Sequence, residues 1–122
     1  MMTNCENNKI LIIDDHPLGC KVAARLLENM GWNVKTAYNG YDGLKAAQED
    51  YCMILLDLNL PDIQGLELAQ KLRDKNHLKE TKIIAVTGDV KHGLDYYALY
   101  GIDAILSKPF TAKQISQLVI SN

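Results

Sequence analysis

The chain has 122 residues, 48% of them hydrophobic, with thirteen basic against fifteen acidic side chains and a formal net charge of −2. That length fits one domain, residues 1–122, able to bury roughly two-thirds of its unfolded surface, and the lack of a dense Lys/Arg cluster interleaved with aromatics argues against direct nucleic-acid binding. The cysteines Cys5, Cys20 and Cys52 are odd in number, widely spaced and without a CxxC pair, which argues against a disulfide framework or a zinc site, and no apolar run reaches the length of a membrane span, so a soluble, cytoplasmic protein is expected.

In chain order, "ILII" after Lys9 reads as a first strand, followed by a helix over "PLGCKVAARLLENMG" with Leu18, Val22, Leu26 and Met30 on one stripe and Gly31 as its C-terminal stop. "NVKTA" from Asn33 and "CMILL" from Cys52 read as strands two and three, and "QGLELAQKLRDK" as a helix carrying Leu66, Leu68, Ala69 and Leu72. "KIIAV" from Lys82 and "AIL" from Ala104 are strands four and five; "TAKQISQLVIS" closes the pattern as a helix with Thr111 as N-cap and Ile115, Leu118 and Val119 inward. Strand and helix alternate, and the first, third and fourth strands are continuously rather than alternately apolar. These are the marks of a doubly wound α/β domain whose parallel sheet is covered on both faces.

In such sheets ligands bind beyond the carboxyl ends of the strands. Strand one ends in Asp14-Asp15, strand three in Asp57, strand four in Thr87-Gly88, and strand five leads to Ser107-Lys108-Pro109. Three carboxylates on one rim repel one another unless a cation sits among them, and an all-oxygen site with open water positions suits Mg²⁺ or Mn²⁺. Lys108 adds a mobile positive charge fit for a phosphate oxygen or for the resting carboxylate. "DLNLPD" faintly resembles a calcium loop, but Pro61 and Asp62 occupy ligand and glycine positions and Leu68 stands where the bidentate Glu belongs. His16 reads as a solvated neighbour of a helix cap. Tyr96, Tyr97 and Tyr100 fit either half-buried helix residues or an interaction face.

Taken jointly, "IIDDHP", "LLDLNLPDIQG", "AVTGD" and "LSKPF", in order and at the family's approximate spacing, resemble the receiver domain of two-component response regulators over essentially the whole length. The resemblance implies a flavodoxin-like strand order 2-1-3-4-5. It implies that Asp57 is the phosphoacceptor, loaded by a histidine kinase or a histidine phosphotransfer domain. Asp15 would bind Mg²⁺ directly, Asp14 mainly through water, and Asn59 through its backbone carbonyl. Thr87 and Lys108 would each hold a phosphoryl oxygen, and the Lys108-Pro109 bond would be cis. The implied protein catalyses its own phosphorylation and slow dephosphorylation without being a turnover enzyme. Some sequence features also resemble receivers attached to hybrid kinases.

Two other readings compete. One is a pseudo-receiver that binds partners without taking phosphate, against which the intact acid pair, Asp57, Thr87 and Lys108 count. The other is a magnesium-dependent phosphohydrolase, which usually needs a carboxylate two residues beyond the nucleophile, where this chain has Asn59. One departure from the family pattern stands out: Ile105 occupies the position, three residues before the strand-five lysine, where receivers usually carry Tyr or Phe. A branched aliphatic side chain offers no two-position ring switch. The expectation is therefore a response running through Thr87 to Val90 and the helix of Tyr96, Tyr97 and Tyr100 toward an output partner, with Ile105 staying packed.

Overall fold

Apolar runs become the inner strands of a five-stranded parallel sheet in the computed structural model, which describes residues 7–120. In chain order the elements are β1 (Lys9–Ile13), α1 (Pro17–Asn29), β2 (Asn33–Ala37), α2 (Gly40–Ala46), β3 (Met53–Asp57), α3 (Gly65–Arg73), a 3-10 turn (Asn76–Leu78), β4 (Lys82–Thr87), α4 (Leu94–Ala98), β5 (Ala104–Ser107) and α5 (Ala112–Ile120). The strand order β2-β1-β3-β4-β5 is the doubly wound arrangement expected. It places β1 and β3 side by side at the point where the winding reverses, with Ile13 opposite Leu56, so the residues just past both strands share one crevice.

The sheet separates two apolar layers. Leu11, Ile13, Ile54, Leu56 and Ile83 face Leu68, Ala69 and Leu72 of α3, while Ile10, Ile12, Leu55, Ile84 and Val86 face Cys20, Ala23 and Leu27 of α1 and Ile115 and Val119 of α5. Every residue of β3 is buried, as its unbroken apolar run implies, whereas the edge strand β2 is mostly exposed.

Helix ends follow local chemistry. Thr111 caps α5 reciprocally: its Oγ1 accepts from the Gln114 N–H at 3.1 Å and its own N–H donates to Gln114 Oε1 at 2.8 Å. Gly31 ends α1 with φ +98°, a conformation side chains other than glycine rarely adopt. At the start of α3 a Cβ on Gly65 would lie 2.4 Å from Leu58 Cα, so only glycine lets the helix begin this close to the end of β3. Asp62 accepts from the N–H groups of Gly40 and Tyr41 at 2.8 and 2.9 Å, tying the loop beyond β3 to the N-terminus of α2. Its carboxyl loses some hydration there, but the backbone donors outweigh that loss and hold its pKa below the ordinary value.

Two expectations are corrected. Of the stripe Leu18, Val22, Leu26 and Met30 on α1, only Leu26 packs in part against the core; the other three are solvent-exposed, and the buried face is Cys20, Ala23 and Leu27. Apolar side chains occupy both sides of this helix, and the smaller set lets it approach the sheet closely. Cys52 is disulfide-bonded, against the reading of the cysteines as unlinked; Cys5 lies outside the described residues. Cys20 is free and buried, and burial first, with the Asp14 charge second, pushes its thiol up to about 11. Among the described residues no helix is long and apolar enough to cross a membrane.

Candidate functional site

Asp57 is the last residue of β3 and only 2% exposed. Its two oxygens are held differently. Oδ1 accepts from the Asn59 N–H at 2.9 Å, a short Asx-type turn that fixes the carboxylate against its own loop. Oδ2 accepts from Lys108 Nζ at 3.1 Å. The Lys108 N–H donates to the Thr87 carbonyl at 2.8 Å, which ties the end of β5 to β4, and the Lys108-Pro109 bond is cis, as expected.

On the neighbouring strand the Asp14 N–H donates to the Ala37 carbonyl at 3.0 Å, and Asp14 Oδ2 lies 3.5 Å from Lys108 Nζ. Asp14, Asp15, His16 and Asp57 each bring a ligand atom to within 4.8 Å of the others. The convergence expected of Asp14, Asp15, Asp57 and Lys108 is therefore present. Thr87 is buried at the end of β4, and its hydrogen bonds run to Asp89 rather than to the carboxylates: Oγ1 accepts from the Asp89 N–H at 3.2 Å. Asn59 is placed by its N–H on Asp57.

The electrostatics are unbalanced. Burial pushes the Asp57 carboxyl above its ordinary pKa; the Asn59 N–H and Lys108 pull it down without fully offsetting that, and the Asp14 charge adds to the rise. Burial alone lowers Lys108, yet Asp57 and Asp14 more than reverse this and hold its ammonium charged. The rise at Asp57 is chiefly a desolvation cost, while the rise at Lys108 comes from the two acids around its ammonium. Asp15 Oδ1 is buried without a hydrogen-bond partner, a costly state for an anionic oxygen. An orphaned carboxylate oxygen beside two further acids is what a divalent cation with oxygen ligands requires, so these residues fit Mg²⁺.

The sequence reading undervalued His16. It does sit at the N-cap of α1, without a side-chain cap bond, but its ring turns onto the acids, with Nδ1 3.0 Å from Asp15 Oδ1, 3.2 Å from Asp14 Oδ1 and 3.9 Å from Asp57 Oδ2. Adjacency to the acid pair was the available signal. Reasoning from sequence also missed a groove of about 630 Å³ that runs from Asp57 along the exposed face of α1, lined by Leu18, Val22, Leu26, Pro109 and Phe110.

The crevice thus holds a carboxylate fixed at the switch point of a doubly wound sheet, flanked by two further acids and a lysine. Residues 10–120 match the response regulator receiver domain, and the chain belongs to that family. It is 37% identical over 113 residues to the response regulator ArlR of Staphylococcus aureus, a match that covers 88% of this chain and 48% of ArlR, so the chain spans about half the length of that relative. A CheY-like receiver domain protein from Methanospirillum hungatei JF-1 superposes with a TM-score of 0.84 at 29% identity, covering 92% of this chain and 90% of that one. The receiver domain of the sensor histidine kinase PA1611 from Pseudomonas aeruginosa PAO1, whose structure has a magnesium ion coordinated in the active site cleft, superposes with a TM-score of 0.82 at 25% identity, covering 91% and 93%.

Proposed function

We propose that this receiver domain takes a phosphoryl group onto Asp57 from the phosphohistidine of a histidine kinase or histidine phosphotransfer domain. The observation that carries this reading is the buried Asp57 carboxylate, oriented by the Asn59 N–H and paired with Lys108, next to the under-compensated acids Asp14 and Asp15.

A carboxylate oxygen of Asp57 attacks phosphorus in line, and the P–N bond to the donor imidazole breaks, its electron pair staying on nitrogen. Such transfers need positioning and positive charge rather than further covalent chemistry. Asn59 keeps the nucleophile from rotating. Lys108 moves from Asp57 Oδ2 to a phosphoryl oxygen. Thr87 gives up its turn with Asp89 and donates its hydroxyl to another, which draws the loop from Thr87 to Val90 inward. Asp15 directly, Asp14 mainly through water, Asp57 and the Asn59 carbonyl would hold Mg²⁺. When bound, that ion neutralises the acids and draws charge from the phosphoryl group. The apolar groove beside Asp57 supports a protein donor that covers the site and excludes water.

Phosphorylation then adds charge at the loop that leads into α4. Tyr97 is buried there, Tyr96 and Tyr100 are half-buried in one aromatic stack with His92, and Ile105 packs against the same core cluster. This supports a response carried by the loop and the tyrosines toward an output partner. With Asn59 in place of a second acid/base carboxylate, the domain takes one phosphoryl group per chain and does not turn substrate over. Incubation with acetyl phosphate and Mg²⁺ tests this. One acid-stable, base-labile phosphoryl group per chain supports the reading; no label identifies a pseudo-receiver, and continuous phosphate release identifies a phosphohydrolase.

A further inference from the structure

His16 belongs to none of the roles above, yet its ring nitrogen is the atom that touches the most acids. Nδ1 lies 3.0 Å from Asp15 Oδ1, the buried oxygen that lacks a hydrogen-bond partner, and 3.2 Å from Asp14 Oδ1. The backbone that carries the ring is fixed: the His16 N–H donates to Asp14 Oδ1 at 2.9 Å, and Pro17 starts α1 directly behind it. With 68% of the side chain exposed, the imidazole can turn without disturbing the core.

An imidazole nitrogen among three carboxylates is a mixed donor set. Mg²⁺ seeks oxygen ligands in a near-ideal octahedron and gains little from imidazole. Imidazole suits ions such as Co²⁺, Ni²⁺ and Zn²⁺, and their affinity for nitrogen-containing sites rises along the first transition row. We propose that His16 Nδ1 is a direct ligand of the rim cation, together with carboxylates of Asp14, Asp15 and Asp57, and that it biases this site toward first-row transition-metal ions over Mg²⁺. The inference rests on the proposed metal site and adds a ligand and a selectivity to it. It gives His16 a role that its position ahead of α1 does not require, since the ring makes no cap bond to the helix. A ring that only donates a hydrogen bond to Asp14 would instead leave metal selectivity untouched.

The test is calorimetric titration of the whole chain with Mg²⁺ and with Co²⁺, in wild type and His16→Ala, with the visible absorption of bound Co²⁺ recorded in parallel. Some preference for Co²⁺ arises from the carboxylates alone, so the informative quantity is its change on substitution. His16→Ala is expected to weaken Co²⁺ at least tenfold, to alter the Co²⁺ spectrum, and to change Mg²⁺ affinity less than threefold. Equal effects on both ions, or no effect on Co²⁺, would overturn the proposal while leaving the Mg²⁺ site intact. Failure of wild type to bind either ion would overturn this inference together with the metal site it rests on. A His16→Gln variant, which keeps a polar side chain but no imidazole, should behave as His16→Ala.

Discussion

Two charged clusters flank β4, and they are built to opposite rules. At the amino end of the sheet Arg73 Nε and Nη2 donate to the Gly101 carbonyl at 3.1 and 2.8 Å, Nη1 faces the carbonyls of Leu78 and Thr81, each at 2.9 Å, and Nη2 pairs with Asp103 at 2.7 Å. Asp103 in turn accepts from the Ile83 N–H at 2.8 Å. One acid meets one base and the carbonyls find donors. At the carboxyl end Asp14 and Asp57 share Lys108, and a buried oxygen of the third acid, Asp15, lacks a hydrogen-bond partner. The first cluster stabilises the fold as it stands; the second is complete only with something added. An uncompensated charge in an otherwise well-satisfied domain marks the place where chemistry happens.

Breaking the satisfied cluster should cost most. Arg73→Ala orphans the carbonyls of Gly101, Leu78 and Thr81 at once and removes the cation beside Asp103, and about 3 kcal/mol of stability is expected to go, read as a lower urea midpoint. Arg73→Lys should recover only part of it, because an ammonium lacks the planar fork.

The unsatisfied cluster should respond to its missing cation. Mg²⁺ at a hundredfold excess over its dissociation constant is expected to add about 2.7 kcal/mol, seen as a higher melting temperature. Asp15→Ala should abolish most of that shift, and a melting temperature indifferent to Mg²⁺ would erase the contrast between the clusters.

A smaller effect sharpens the comparison. Because burial raises the Asp57 carboxyl pKa in the folded state, the native chain holds that proton more tightly than the unfolded chain does. Its contribution is therefore present at low pH and lost as pH rises from the ordinary carboxylate value through the raised one. Asp57→Asn removes this slope, so in chelator the variant should be the more stable at neutral pH and lose the advantage in acid. Urea midpoints of both chains across that range decide the sign.

Glu49 should matter least. It contacts Lys9 and Lys35 on the surface, and these hydrogen bonds, Lys35 first, hold its carboxyl down to about 2. Its contribution is present above the ordinary carboxylate value and fades as pH falls toward the depressed one. Such exposed pairs are weak and screened by salt. Glu49→Gln should shift the midpoint only slightly at neutral pH, and not at all in high salt.

How legible each region was follows from its physics. Buried parallel strands need unbroken apolar runs, so β1, β3 and β4 were readable, and with them the strand-end positions of Asp14, Asp15, Asp57 and Thr87; Lys108 was placed by the shorter run of β5. The buried face of α1 was not, because the helix is apolar on both sides and periodicity cannot say which side meets the sheet. Arg73 escaped notice for a related reason: all its partners but Asp103 are backbone carbonyls, which leave no trace in side-chain pattern. His16 lay beside the acid pair, but only χ angles decide whether such a ring faces solvent or carboxylates.

The proposed chemistry turns on Asp57 as the residue that carries phosphate. Its most direct test is to load the chain from a phosphorylated histidine donor with Mg²⁺, reduce the acyl phosphate with borohydride, and map the modified residue by peptide mass spectrometry. One reduced aspartate, at Asp57, with no label in Asp57→Asn, is the predicted result. Label persisting at the wild-type rate in Asp57→Asn, or reduction mapped to Asp14 or Asp15, would contradict it.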